Sequence, residues 1–254
     1  MPLLSINNLS KRYGGLTAIN NVSLSVKEGL INALIGPNGA GKTTLFNIIS
    51  CIERPNEGDI KLRDQKITNC RLHQIAKLGI ARTFQNLCIF GNMTVLENVM
   101  TGMHLHTASG FFSAGFKLPW LVRQERETIS RAKEILGFIG LSGKSCLRAN
   151  ELPYGEQRLL EIARALATRP VLLLLDEPAA GLNSRETDIL AEKIKEIRET
   201  GVTIFLVEHD MRLVMMISDR ISVLTFGQII ATGTALEVRS NPEVIRSYLG
   251  RKSS

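Results

Sequence analysis

The chain has 254 residues, 44% of them hydrophobic and 22% charged, with 21 Gly and 8 Pro, a composition that excludes disordered, collagen-like and low-complexity classes. This length suits one large domain or two intimate ones and buries a core without disulfides or a structural metal. The net charge of +7 permits anionic partners such as nucleotides, nucleic acid or an acidic membrane leaflet and does not choose among them.

Cys51, Cys70, Cys88 and Cys146 are widely spaced, with no C-x-x-C pair. Neither a disulfide framework nor a zinc site is expected, and a reducing compartment is the simpler reading. No segment approaches the roughly 18 apolar residues of a membrane span, and the opening MPLLSINNLSKRYGG lacks the basic-then-apolar pattern of a leader. The sequence reads as a soluble, cytoplasmic chain.

In chain order, Leu3 to Leu9 and Val22 to Val26 alternate apolar and polar residues, the pattern of strands in a small antiparallel layer. Leu30 to Ile35 is an apolar run, followed by a Gly-rich turn and a helix-period stretch from Lys42. The turn, Gly36-Pro37-Asn38-Gly39-Ala40-Gly41-Lys42-Thr43, fits the phosphate-loop pattern G-x-x-x-x-G-K-[ST] in its strand, loop, helix setting, with Thr44 next in line. Glycines let successive backbone N–H groups turn inward on a polyphosphate, and the helix adds its positive end. Lys42 would reach the β- and γ-phosphates, and the Thr43 hydroxyl would bind Mg²⁺. A chance glycine turn is the bland alternative.

From about Asn86 to Asn150 the texture changes. Thr94 to Met103 and Arg123 to Phe138 read as helices, separated by the acid-free stretch HLHTASGFFSAGFKLPW. LPYGEQRLLEIARALATRP then opens with a Gly turn into a helix whose apolar positions are Leu159, Leu160, Ile162, Ala163 and Leu166. Val171 to Leu175 reads as a strand buried on both faces, ending at Asp176 and Glu177. Acids there are costly without a task or a partner. Asp176 would hold Mg²⁺ through its water shell; Glu177 would orient and deprotonate the attacking water, a role worth roughly 10²–10⁴ in rate. An acid pair capping a helix is the alternative. Thr203 to Val207 is another buried strand, ending at Glu208, His209 and Asp210. His209 could donate to the γ-phosphate, since ligands gather at strand ends in open α/β sheets; otherwise it is a surface or capping residue. After Thr234 the chain reads as a short helical tail.

Tyr13 ahead of the phosphate loop, Gln85 in ARTFQN, the segment Leu152 to Gln157, Asp176-Glu177, the turn Ala180-Gly181-Leu182-Asn183 and His209 follow one another in an order that resembles the ATP-binding cassette (ABC) ATPase family. The resemblance covers the whole chain. It implies an α/β P-loop NTPase: a RecA-like core with an antiparallel β layer, residues 1–86 and 156–254, and an inserted α-helical subdomain, residues 87–155, ending in the signature motif. It further implies that Tyr13 stacks on adenine, that Gln85 senses the metal and the water, and that Lys42, Gln85, Glu177 and His209 form the catalytic set. The metal set is Thr43, Gln85 and Asp176. Leu152, Pro153, Tyr154, Gly155, Glu156 and Gln157 would close over the γ-phosphate bound by another subunit, and Gly181, Leu182 and Asn183 would form the dimer turn. Two chains would sandwich two ATP head to tail, held shut until hydrolysis removes the bridging phosphate.

Two departures from the family pattern stand out. In place of the usual Leu-Ser-Gly-Gly-Gln string, Pro153 and Tyr154 occupy the Ser and first Gly places; Pro has neither hydroxyl nor N–H, so phosphate contact falls to Gly155, nearby backbone and the helix end. Asn183 stands where Asp is common. The strings LGIARTFQN, MTVLENVM, LPYGEQRLLEIARALA, DEPAAGLN and VEHDMRLVM resemble ATP-binding subunits of branched-chain amino acid importers, whose relatives serve urea and short amides. That likeness implies ATP and Mg²⁺ as cofactors and a sister ATP-binding subunit or a second copy as dimer partner. It also implies two integral-membrane permeases, an extracytoplasmic solute-binding protein acting indirectly, and peripheral attachment at the cytoplasmic face of the inner membrane. Phe111, Phe112, Phe116 and Trp120 in the acid-free stretch would either dock on permease or membrane or pack inside a helical hairpin. Alternatives are the same engine serving urea or short amides, export of a lipid-linked glycan, a cassette without turnover, and a soluble ABC ATPase acting on nucleic acid or the ribosome. The last lacks its usual long heptad insertions and tandem cassettes here, and no nucleic-acid partner is expected.

Overall fold

The computed structural model describes residues 2–103 and 119–249. The chain divides into two compact units, residues 1–85 with 171–254, and residues 86–170.

In the first unit, β1 (Pro2–Tyr13), β2 (Leu16–Lys27), β4 (Glu57–Leu62) and β5 (Gln65–Lys66) form an antiparallel sheet in the order β2-β1-β4-β5. Leu4 pairs with Val26 and Ile6 with Leu24, so the alternating segments face each other with their apolar sides together. Both strands run beyond the alternation, because register shifts after Ile6 and Leu9 break the period of two while pairing continues.

The second sheet has six strands in the order β10-β9-β3-β8-β7-β6, comprising β3 (Ile31–Ile35), β6 (Ile80–Arg82), β7 (Leu172–Asp176), β8 (Thr203–Val207), β9 (Arg220–Thr225) and β10 (Gln228–Gly233). The first five of these pair in parallel, and β10 returns antiparallel to β9. β3, β7 and β8 are buried throughout, the expected fate of mostly apolar strands in a parallel sheet; the buried Asn32 of β3 donates to the carbonyls of Lys27 and Leu30. Leu34 and Asp176 both pair with Val207. The ends of β3, β7 and β8 therefore finish level, and the phosphate loop, Asp176-Glu177 and Glu208-His209 leave the sheet along one edge. Helix α1 (Lys42–Ile49) lays Leu45, Phe46, Ile48 and Ile49 into the core, where Phe46 meets Phe205 with centroids 5.1 Å apart. Each such side chain contributes about 1.5–3 kcal/mol. α2 (Leu72–Lys77), α6 (Ser184–Glu199), α7 (Met211–Ile217), α8 (Ala235–Ser240) and α9 (Pro242–Leu249) complete the unit, the last two being the expected tail.

The β9–β10 hairpin was not legible in the sequence. Its two-residue turn is Phe226-Gly227, with φ of +48° and +74°, the geometry that Asn-Gly normally announces. Phe in the first place hides the signal.

The second unit packs α3 (Val95–Met103), α4 (Pro119–Ile139) and α5 (Tyr154–Leu166) together, with short 3₁₀ turns at Ser142–Lys144 and Ala149–Glu151. Thr94 and Glu97 cap α3 reciprocally, Thr94 N donating to Glu97 at 2.8 Å and Glu97 N to Thr94 Oγ1 at 3.1 Å. Gly102 lets α3 approach α5, since a Cβ there would sit 2.2 Å from the Arg164 carbonyl oxygen. The sequence boundary between residues 155 and 156 falls inside this unit, within α5. Phe111, Phe112, Phe116 and the side chain of Trp120 lie outside the described residues. Among the described residues, no helix is long and apolar enough to cross a membrane.

Candidate functional site

The phosphate loop follows β3 and is held tightly. A Cβ on Gly36 would stand 2.0 Å from the Leu224 carbonyl oxygen, and one on Gly41 2.5 Å from that of Ala18. Gly41, at φ +102°, is also the N-cap of α1 and supplies no side-chain cap, so the helix end keeps its donors for another acceptor. Lys42 is 6% exposed, and its ammonium donates to the carbonyls of Gly36 at 2.7 Å and Pro37 at 3.1 Å. Burial pushes its pKa down, while the nearby charges of Glu177 and Asp176 oppose that shift.

Asp176 ends β7 and is buried against Arg82, whose Nη2 donates to Asp176 Oδ2 at 2.7 Å. Glu177 follows with φ +47°, a left-handed conformation costing a non-glycine residue about 1–3 kcal/mol that recurs at functional sites. Its Oε2 accepts a hydrogen bond from Gln85 Nε2 at 2.9 Å and lies 3.6 Å from His209 Nδ1. Behind them, the fully buried Glu208 accepts from Ala179 N at 2.8 Å through Oε1, and from His209 N at 3.0 Å and Asp210 N at 3.2 Å through Oε2. One carboxylate thus joins the loop after β7 to the loop after β8. Burial raises its pKa against the lowering effect of those three bonds.

Tyr13, at the end of β1, is 43% exposed. The hydroxyl donates to Glu53 and hydrogen-bonds Thr44, and the Lys11 ammonium lies 5.0 Å from the ring centroid. Burial and the Glu53 carboxylate raise the phenol pKa. Burial alone would raise the Glu53 pKa as well, but bonds from Tyr13 and Asn47 and the charge of Lys11 outweigh it and hold the carboxyl below its usual range. One cavity of about 660 Å³ gathers Tyr13, the loop from Asn38 through Gly39, Ala40, Gly41, Lys42 and Thr43 to Thr44, and Gln85, Glu177 and His209.

Leu152 to Gln157 belong to the second unit. Pro153 is the N-cap of α5 and makes no side-chain cap bond. Gly155 is buried in the first turn, Gln157 Nε2 donates to the Leu152 carbonyl at 2.7 Å, and Glu156 pairs with Lys144 at 2.5 Å. Tyr154 lies with its ring 5.4 Å from the Arg158 guanidinium. In the first unit, Leu182 N donates to the Ala179 carbonyl at 3.1 Å beside Gly181, and Asn183 caps α6, its Oδ1 accepting from Glu186 N at 3.0 Å.

Sequence reasoning missed Arg82, Glu208, Glu53 and Asn47. A Glu ending an apolar run was a visible signal; the three-residue strand that carries Arg82 and the reach of Glu53 to Tyr13 across 40 residues were not. Among the described residues, no group of three His, Cys, Asp or Glu could hold a metal. Thr43 and Gln85 line the cavity, whereas Asp176, which ends β7, is not among its lining residues; such sparse oxygen donors fit Mg²⁺, a cation bound through few protein ligands, substrate phosphates and retained waters.

The profile of the ABC transporter family matches residues 19–180, and that of the branched-chain amino acid ATP-binding cassette transporter family matches residues 228–252. The chain is 49% identical over 250 residues to the high-affinity branched-chain amino acid transport ATP-binding protein LivG of Salmonella typhimurium, covering 98% of each. A crystal structure of a nucleotide-free ATP-binding cassette from an ABC transporter superposes with a TM-score of 0.85 at 35% identity, covering 98% of this chain and 100% of that one. The dimeric structure of a bacterial ABC transporter cassette gives a TM-score of 0.76 at 28% identity, covering 91% and 98%.

Proposed function

The chain belongs to the ABC transporter family, and from that premise we propose that it is the ATP-binding and ATP-hydrolysing subunit of a branched-chain amino acid importer. The observation that supports the chemistry best is the single cavity joining the phosphate loop to Tyr13, Gln85, Glu177 and His209. Likeness to LivG across nearly the whole chain supports the cargo.

In this reading ATP lies with its base on the Tyr13 ring and its phosphates along the loop N–H groups and the start of α1. Lys42 exchanges the carbonyls of Gly36 and Pro37 for β- and γ-phosphate oxygens. Thr43, Asp176 and the carbonyl end of the Gln85 amide would hold Mg²⁺, which when bound would neutralise charge developing on the phosphates. Glu177, oriented by Gln85, takes a proton from the attacking water as the new bond to the γ-phosphorus forms and the bond to the bridging oxygen breaks. His209 donates to a γ-phosphate oxygen. Such positioning and charge stabilisation supply most of the catalysis in phosphoryl transfer.

The start of α5, with Gly155 and no side-chain cap, suits the γ-phosphate held by a second ATP-binding subunit. That subunit is a second copy or a sister chain, and the assembly sits peripherally on two permeases at the cytoplasmic face, supplied by a solute-binding protein. The test is isolation of Glu177→Gln from native membranes with ATP and Mg²⁺. Co-purification of multi-span permeases and an ATP-binding subunit is expected; recovery of soluble proteins or nucleic acid alone would overturn the importer reading.

A further inference from the structure

Strand β6 places one charged side chain in the core. The Arg82 guanidinium, 7% exposed, donates through Nη2 to Asp176 Oδ2 at 2.7 Å and through Nη1 to Asn47 Oδ1 at 2.9 Å and Ser50 Oγ at 2.7 Å. It lies 5.7 Å from the Phe46 ring centroid and 5.1 Å from that of Phe84. Among the described residues its buried Nε has no hydrogen-bond partner. A buried ion pair is often no more stabilising than apolar side chains of the same volume, and this one leaves a donor unsatisfied. Stability alone is a poor reason for an arginine here.

Geometry supplies a better one. The planar fork spans two elements: Nη2 holds the carboxylate that ends β7, and Nη1 holds the last turn of α1, whose first turn carries Lys42 and Thr43. The guanidinium lies over both rings. Asp176 is therefore oriented relative to the helix that bears the phosphate-side hydroxyl, with Oδ2 engaged by the arginine. On its far side Asn47 continues the network, Nδ2 donating to Glu53 Oε1 at 2.8 Å.

We propose that Arg82 is a positioning residue for metal binding, fixing the Asp176 carboxylate against α1 so that Asp176 and Thr43 receive a hydrated divalent cation without rearrangement. The inference rests on the reading of Asp176 as a metal-side residue. Arg82 is not among the residues lining the cavity and acts through Asp176. A lysine offers one point charge on a single nitrogen and loses the fork that reaches β7 and α1 from two nitrogens.

The test measures the affinity of the purified chain for ADP with excess Mg²⁺ and with EDTA, in wild type, Arg82→Met, Arg82→Lys, Ser50→Ala and Asp176→Asn. ADP removes turnover from the readout. With EDTA, the Arg82 and Ser50 variants are expected to stay within about twofold of wild type. The gain in affinity on adding Mg²⁺ is expected to fall about tenfold in Arg82→Met, at the lower end for partners that orient metal ligands, and by less in Arg82→Lys and Ser50→Ala. Thermal melting identifies the folded variants, and Arg82→Lys and Ser50→Ala carry the measurement if Arg82→Met does not fold. A wild-type Mg²⁺ gain in the folded Arg82 variants, or an equal loss with and without Mg²⁺, overturns the proposal. An undiminished gain in Asp176→Asn instead overturns the metal-side reading of Asp176, and the two failures are distinguishable.

Discussion

Gln85 Nε2 donates to Glu177 Oε2 across 2.9 Å, joining the last residue of the first unit's opening segment to the carboxylate that ends the β7 strand-turn. The bond sets which Glu177 oxygen is engaged. Gln85→Ala removes it without touching the phosphate loop. The expected outcome in steady-state kinetics is a kcat about tenfold lower with KM for ATP changed less than about threefold, the pattern of lost transition-state positioning. A KM effect with kcat intact would place Gln85 in binding alone.

Glu177 has a left-handed backbone, with φ +47°. An alanine there keeps the strain, whereas a glycine relieves it. Both Glu177→Ala and Glu177→Gly should lose about 10²-fold or more in ATP hydrolysis. In urea unfolding, however, the Gly variant should exceed the Ala variant by about 1 kcal/mol. Equal stabilities would mean the strain is not real.

Glu208 predicts a pH effect whose sign follows from its raised pKa. The folded state holds this proton more tightly than the unfolded chain, so its contribution is most favourable below the unfolded pKa of about 4.3. Stability is then lost as pH rises through the folded value. Glu208→Gln removes that dependence. The amide also turns an NH₂ toward backbone donors at Ala179 or at His209 and Asp210, which should cost about 1–3 kcal/mol at neutral pH. Urea unfolding from pH 4 to 8 measures both effects.

Much of the site was readable because its chemistry is local in sequence. The phosphate loop, Asp176-Glu177 and His209 each sit where an apolar run stops, and parallel pairing brings those stops level. Arg82 was hidden because its partners Asn47, Ser50 and Asp176 lie far away in sequence, and no local pattern announces such a pairing. Strands β9 and β10 were hidden for the opposite reason, a local signal of the wrong kind, since Phe226 occupies a left-handed turn position that favours Asn or Gly. Asn183 caps α6, a local role that the family-level expectation of a dimer turn did not reveal.

Tyr13 separates stacking from hydrogen bonding. Its ring faces the cavity while its hydroxyl is held by Glu53. Tyr13→Phe keeps the ring and should leave ATP affinity within about threefold, whereas Tyr13→Ala should weaken it about tenfold, the scale of one base-stacking contact. Titration with a fluorescent ATP analogue checks the pair. Equal losses would assign the effect to the Glu53 bond.

Pro153 offers the last test because two physical effects oppose each other there. It is the N-cap of α5 without a side-chain cap, so Pro153→Ser adds a hydroxyl able to accept from the N–H of the second or third helical residue, typically worth about 1 kcal/mol. The melting temperature of the isolated chain should rise. That same hydroxyl consumes a donor that the proposed closure over a γ-phosphate would use, but it also offers an O–H of its own to the phosphate. The two exchanges should nearly cancel, leaving ATPase activity within about twofold at higher stability. A loss of tenfold or more would show that closure depends on the uncapped N–H groups of α5, and the proline would then be there to keep that helix end free for phosphate.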